Sequence, residues 1–507
     1  MPTPSFREDH ISQLPALQLL INMGWQYLTP EQALEARGGR TSGVLLESVL
    51  RQQLARINQI QHRGREYAFS EANVEKGIVD IRELPSPDGY LIANQKLYDL
   101  LTLGSSFEER IAGDKKSHTF RYIDWQQPEN NAYHVTEEFS VLRHARQDHY
   151  RPDIVLFVNG IPLVVIECKS PRIKTPIDKA IEQHLRNQRE DGIRSLYQYS
   201  ALVLSLATNA GQYATTGTPK EFWSFWREMH PTPEHEQAYE QALHALKHQA
   251  LPEDAQTRLF QERFQSVLRH FEQLDSMEKV VTDQDRTLYS LCRPERLLDL
   301  IYHFTVYDDG DKKVARYQQY FAVRTTLGRI RQLQPNGTRR GGVVWHTQGS
   351  GKSLTMVMLA QMIAQHPDIK RPRIVLVTDR IDLDDQITDT FKKCNLVVRQ
   401  ASKGASIDSK RNLRGEFLSE SELDRLAKDD SLLALLMSSE DHVITTIINK
   451  FEAAVKGAPK AFDSPDIFVL IDEGHRSQYG SFNVKMRQIF PKACFIAFTG
   501  TPLMKKE

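Results

Sequence analysis

The chain has 507 residues, room for about three domains of ordinary size, and its 65 basic and 65 acidic residues cancel. That balance excludes a whole-molecule field drawing it onto nucleic acid or membrane, so such contacts must come from local patches. Cys168, Cys292, Cys394 and Cys494 stand far apart with no C-x-x-C, which argues against a disulfide framework or structural zinc and fits a reducing cytoplasm. The longest apolar runs, such as IPLVVI, fall far short of a bilayer span, so a soluble intracellular protein is expected.

To about residue 215, helical patterns (LPALQLLINMGWQYL, VLLESVLRQQLARINQI) alternate with strand-like runs (YRPDIVLFV, IPLVVIECK, SALVLSLATN), which predicts an α/β domain. Within it, RPDIVLFVNGIPLVVIECKS holds two apolar runs joined by Asn159-Gly160, a strong hairpin signal. Side chains alternate along a strand, so Glu167 and Lys169 share one face and Cys168 takes the other, where it packs as core. Thirteen residues separate Asp153 from Glu167. Two carboxylates and a lysine so spaced are either a divalent-metal site that activates water or a salt-bridged strand end.

The metal site imposes a condition. A strict two-residue turn pairs Val158 with Ile161, sets Asp153 opposite Ile166 and leaves the carboxylates on opposite faces. A three-residue loop or a bulge shifts the pairing by one and sets Asp153 opposite Glu167. That shift is predicted.

From 216 to 300 the sequence is helical and charged (PEHEQAYEQALHALKHQA, QTRLFQERFQSVLRHFEQL), as in a connector. Beyond 301, GGVVWHT, RIVLVTD, HVITTI, DIFVLIDE and CFIAFTG alternate with helices, which predicts a parallel sheet with helices on both faces. ASKGASIDSKRNLRGEFLSESELD, near 401 to 424, has the polar, charge-mixed character of a surface insertion.

WHTQGSGKSLTMVMLA runs from strand to helix. Gly349, Ser350 and Gly351 form a loop whose backbone N–H groups can cradle phosphates. Lys352 reaches the β and γ phosphates, and Ser353 offers its hydroxyl to magnesium. His346 stands where such loops have their first glycine. In DIFVLIDEGHR, Asp472 and Glu473 close an apolar strand. An acidic pair there is often a solvated strand end, but with a phosphate loop upstream Asp472 suits magnesium and Glu473 the attacking water.

HTQGSGKS, LVTDR, ITTIINKF, LIDEGHR and FTGTP follow the motif order of superfamily 2 DNA helicases and translocases, and EGHRSQYG resembles type I restriction enzymes in particular. With LLDLIYHFTVYDDGDKKVARYQQYFAV and RPDIVLFVNGIPLVVIECKSP upstream, most of residues 130 to 507 resembles the motor/endonuclease (R) subunit of a type I restriction enzyme. The resemblance implies a PD-(D/E)xK nuclease domain with a central mixed sheet over 1–215, a helical connector over 216–300 and the first RecA-like lobe over 301–507.

Asp153, Glu167 and Lys169 then form the nuclease site, with Asp153 and Glu167 on magnesium. Gln183 of AIEQHLRNQ orients it, although Asn187 replaces the family tyrosine of Gln-x-x-x-Tyr. Glu8 matches an acid that supports such sites, or is a surface helix glutamate. The resemblance also places Gln319 at adenine, Arg380 on a DNA phosphate and Thr499 as a coupler between nucleotide state and DNA grip. ITTIINKF has Ile448 or Asn449 where relatives carry glutamine, and that position is unassigned.

ATP and Mg2+ are the implied cofactors; double-stranded DNA and the methyltransferase (M) and specificity (S) subunits are the implied partners. A nuclease-helicase of DNA repair or another defence system, and an inactive DNA-binding remnant, are the alternatives. Since the sequence stops just after FTGTP, the expectation is a truncated form that lacks the second lobe, folds and binds nucleotide, but neither hydrolyses ATP at motor-like rates nor translocates alone.

Overall fold

The computed structural model describes residues 12–84, 89–268, 271–272, 279–347, 349–394, 396–401, 432, 435, 443–447, 462–472 and 486–500. The chain forms two compact units, Met1–Thr305 with Gly310–Tyr317, and Val306–Asp309 with Gln318–Glu507. The sequence positions Glu8, Ile448, Asn449 and Glu473, and all but the first residue of the 401–424 stretch, lie outside the described residues.

The first unit is built on a mixed six-stranded sheet. Its strands are β1 (Gln26–Tyr27), β2 (Tyr133–Glu137), β3 (Ile154–Val158), β4 (Ile161–Lys169), β5 (Leu202–Ala207) and β6 (Ala210–Ala214), hydrogen-bonded in that order. β1 runs parallel to β2 and β4 parallel to β5, while the other neighbours are antiparallel. Every residue of β3 is buried, as is all of β4 up to Cys168, which is why both read as unbroken apolar runs.

The helical pattern LPALQLLINMGWQYL is cut short. Helix α1 (Leu14–Asn22) ends before Gly24, whose φ of +103° no helix accommodates, and the chain turns into β1. α1 packs against helices at Pro233–His248 and Asp283–Cys292, and Trp25 donates its indole N–H to the Cys292 carbonyl at 3.0 Å.

The β3–β4 hairpin carries the predicted shift, by a mixed route. The turn has two residues, Asn159 (φ +51°) and Gly160 (φ +84°), and pairs Val158 with Ile161. A Cβ at Gly160 would lie 2.6 Å from the Leu46 carbonyl oxygen, so glycine is required there. The shift comes two residues later. Phe157 pairs with Pro162, but Leu156 pairs with Val164, so Leu163 is extra and Ile166 comes opposite Ile154. Proline has no N–H to give the ladder, and a bulge is where a strand tolerates it. One step further, the register brings Glu167 to Asp153.

The second unit has a six-stranded, wholly parallel sheet. In chain order its strands are β7 (Gly342–Trp345), β8 (Arg373–Thr378), β9 (Arg399–Gln400), β10 (Val443–Ile447), β11 (Ile467–Asp472) and β12 (Cys494–Thr499). In space they lie β7-β12-β11-β8-β10-β9. Val375, Val377, Ile444, Val469, Ile471 and Phe490 form part of one buried cluster there, and the five strands expected from the sequence all form, with β9 added at the edge. The order places the ends of β7, β12 and β11 side by side.

Candidate functional sites

In the first unit, Asp153 enters β3 and Glu167, Cys168 and Lys169 end β4. Asp153 is 8% exposed and Glu167 fully buried. Asp153 Oδ2 accepts the Cys168 backbone N–H at 2.6 Å and lies 3.5 Å from Lys169 Nζ, which also donates to the Cys168 carbonyl at 2.7 Å. Gln13 Nε2 holds the Asp153 carbonyl at 3.2 Å. Burial, then the Asp153 charge, push the Glu167 carboxyl well above the ordinary glutamate range; Lys169 opposes them, and a hydrogen bond with Asp153 adds to the rise.

Two hard oxygen donors held together at that cost are a donor set suited to magnesium, since a divalent cation removes the like-charge penalty. Among the described residues no group of three or more His, Cys, Asp or Glu could hold a metal, so further ligands would be backbone carbonyls or water. Cys168 is fully buried and its thiol is pushed well up, chiefly by burial, which leaves it core rather than nucleophile.

Helix α2 (Pro176–Asn187) faces this end of the sheet. Gln183 and Asn187 are four residues apart and so lie on one helix face. Gln183 Nε2 donates to Glu167 Oε2 at 2.5 Å, and Asn187 Nδ2 donates to Glu167 Oε1 at 3.3 Å. Each carboxylate oxygen thus receives an amide, and Asn187 is one of the two residues that supply it.

In the second unit, β7 leads through residues 346–351 into α3 (Lys352–Gln365). Gly349 and Gly351 have φ of +77° and +84°, left-handed values that glycine adopts without strain. Gln319 Nε2 donates to the Gly351 carbonyl at 3.1 Å, and a Cβ at Gly351 would lie 2.6 Å from that nitrogen. Ser350 Oγ lies 2.6 Å from His346 Nδ1 and donates to the Thr347 carbonyl at 2.5 Å, so His346 braces the loop from the position of the absent glycine.

Lys352 Nζ is 3.6 Å from Asp472 Oδ1 at the end of β11, and Ser353 follows Lys352 in the first turn of α3. Thr499 ends β12, is buried, and accepts the His346 N–H at its carbonyl at 2.9 Å. Gly349, Ser350, Gly351, Lys352, Ser353, Asp472, Gln319 and Thr499 therefore gather at the carboxyl ends of the strands, where open α/β sheets hold ligands. Arg380 is apart from them, an exposed side chain at the start of the helix Ile381–Lys393, 3.9 Å from Asp379.

Residues 5–222 match the family "Type I restriction enzyme R protein N terminus", and residues 318–507 match "SWI2/SNF2 ATPase". The type I restriction enzyme HindI endonuclease subunit of Haemophilus influenzae is 29% identical over 99% of this chain and 43% of its own length. A putative type I restriction enzyme MjaIXP endonuclease subunit of Methanocaldococcus jannaschii is 26% identical over the same shares, 99% and 43%. Over almost its whole length the chain is similar to endonuclease subunits of type I restriction enzymes. It spans less than half the length of these relatives. Among solved structures, a nuclease-deletion mutant of the Type ISP restriction-modification enzyme LlaGI with a DNA substrate mimic aligns at a TM-score of 0.27 and 18% identity, over 38% of this chain and 18% of that one, a likeness too slight to place any residue.

Two features of this chain lay beyond motif reasoning: the partnership of Asn187 with Glu167, and the buried polar residues behind it. The clearest of those is His184, fully buried between Tyr197 and the Leu204 carbonyl. Burial lowers the pKa of His184, and likewise of His134, from 6.5 to about 4. The unfolded chain therefore takes up these protons first, and stability falls as pH drops from 6.5 toward 4. For His184 the full loss is on the order of 3 kcal/mol. Urea midpoints measured from pH 7 to pH 4.5 should fall, and His184→Gln should flatten part of that slope; an unchanged slope in the variant would count against it.

Among the described residues no helix is long and apolar enough to cross a membrane.

Proposed function

We propose that this chain carries the nuclease and the first ATPase lobe of a type I restriction R subunit, coupling ATP-driven movement of duplex DNA to magnesium-dependent cutting of unmodified DNA. The observation that supports it is the register slip at Leu163, after which Ile166 pairs with Ile154 and Lys169 Nζ lies 3.5 Å from Asp153 Oδ2, a geometry compatible with a PD-(D/E)xK site.

Asp153 and Glu167 would hold magnesium, which when bound supplies a Lewis acid that lowers the pKa of water and offsets charge on the scissile phosphate. Lys169, within reach of Asp153 and the Cys168 carbonyl, is placed to hold the attacking water. Gln183 and Asn187 keep both Glu167 oxygens aimed by donating to them. In the second unit Lys352 and the loop N–H groups would receive the phosphates, Ser353 and Asp472 would hold a second magnesium, and Glu473 would orient water. Gln319 would contact adenine, Arg380 a DNA phosphate, and Thr499 would couple nucleotide state to DNA grip. Methyltransferase and specificity subunits supply site recognition, and the setting is the cytoplasm.

The test is cleavage of duplex DNA by the R protein assembled with such subunits. Unmodified DNA should be cut, and omission of ATP, Mg2+ or the specificity subunit should each stop it. Cutting without ATP or without the other subunits would point instead to a stand-alone repair nuclease.

A further inference from the structure

Strand β5 lies beside β4 in the first sheet, and every residue from Leu202 to Ala207 is buried. Five of them are apolar, as a strand covered on both faces requires. The sixth is Ser205. Its side chain is fully buried, and among the described residues its hydroxyl has no hydrogen-bond partner. A buried hydroxyl left in that state costs stability.

The register shows where on the sheet that cost falls. β4 and β5 run parallel and pair Glu167 with Ser205, so the two side chains leave neighbouring strands on the same face. Asp153, one step past the Ile154–Ile166 pair, flanks Glu167 from β3 on the other side. The next pairs on this face are Val165 with Val203 and Lys169 with Ala207. The one hydroxyl of β5 therefore stands at the one position beside the buried acid.

Both Glu167 oxygens already accept an amide, from Gln183 and Asn187, so orienting the carboxylate does not fall to Ser205. Its hydroxyl stands one strand spacing, roughly 4.8 Å, to the side of Glu167, where a water bound to the metal would find an oxygen to donate to. Gln183 and Lys169 are half-buried, which leaves this end of the sheet open to water.

We propose that Ser205 is a positioning residue of the nuclease site, its hydroxyl accepting a hydrogen bond from a water molecule on the divalent metal held by Asp153 and Glu167. The proposal rests on the metal-nuclease reading above and adds a residue from a strand that the spacing of Asp153, Glu167 and Lys169 does not reach. A hydroxyl that costs stability in the metal-free protein and contributes once metal is bound accounts for a polar residue in an otherwise apolar strand.

Mn2+ binding by the purified chain without nucleotide, followed by EPR titration beside thermal melting of the metal-free protein, tests it. The share of binding that belongs to this site is the part that Glu167→Ala removes. Ser205→Ala should raise the dissociation constant of that part about tenfold, the lower end of the range seen when partners of metal ligands are lost. Its metal-free melting temperature should stay level or rise, because the group removed had no partner to lose. Packing alone does not lower affinity while sparing stability. Ser200→Ala is the control: Ser200 is also fully buried with no partner for its hydroxyl among the described residues, but it precedes β5 and lies outside the pairing with β4. It should leave the Mn2+ constant unchanged.

A Ser205→Ala constant within about twofold of the parent, an equal shift in Ser200→Ala, or a metal-free melting temperature that drops together with the affinity would each overturn the proposal. If the parent and Glu167→Ala bind Mn2+ alike, the metal-nuclease reading itself fails and takes the proposal with it.

Discussion

Glu167→Ala should reduce DNA cleavage by the assembled enzyme on the order of 10³-fold or more while ATP hydrolysis stays within about twofold of the parent. The loss is large because Glu167 supplies one of the two carboxylates placed to hold the metal, and it is fully buried beside two amide donors that orient it. Hydrolysis is spared because the phosphate loop belongs to the other compact unit, so the substitution leaves its local structure untouched. Removing the carboxylate also removes the like-charge strain on Asp153, so melting should not drop as far as it does for an ordinary core truncation. Asp153→Asn offers a second arm, since its side-chain oxygen can still accept the Cys168 N–H. Gel assays of linear and circular DNA read the cleavage, and phosphate release reads the hydrolysis. A Glu167→Ala enzyme cutting within tenfold of the parent would remove the assignment.

Lys352→Ala should abolish both ATP turnover and cleavage, yet leave Mn2+ binding at Asp153 and Glu167 unchanged. Lys352 begins α3, where its ammonium adds to the positive end of the helix and to the loop N–H groups. Without it, charge on the β and γ phosphates has no mobile cation to follow it, and turnover should fall by roughly 10² to 10³. The 3.6 Å contact with Asp472 gives a further sign: with nucleotide present Lys352 should leave Asp472 to the metal, so in the variant nucleotide no longer competes with that pair. Fluorescent-nucleotide titration reads binding and the cleavage gel reads coupling. Full cleavage by a Lys352→Ala enzyme would show that cutting does not depend on this ATP site.

The two assignments differ in how they could be seen. Gly349, Gly351 and Lys352 are neighbours in sequence and act as neighbours in space, because a strand-loop-helix unit is local. Its glycines mark left-handed positions that L side chains rarely adopt, and they do so in any tertiary setting. Asp472 was legible for the same reason, as the acid closing an apolar strand. The five strands of the second sheet showed as apolar runs because a parallel sheet is covered on both faces. The acid-and-lysine spacing of residues 153 to 169 was legible too, but only as two alternatives, since a strand's face depends on its register with its partner.

Tertiary structure decided that register. The pairing slips between Pro162 and Val164, Leu163 is left unpaired, and the shift of one residue turns Asp153 toward Glu167. It also decided that Asn187 is a partner of Glu167, and that Gln319 lies against Gly351 across more than thirty residues of sequence. Periodicity and motif spacing record what the backbone does over a few residues. Which buried donor meets which acceptor depends on strands and helices far apart in sequence, and only their packing brings those groups within hydrogen-bonding distance.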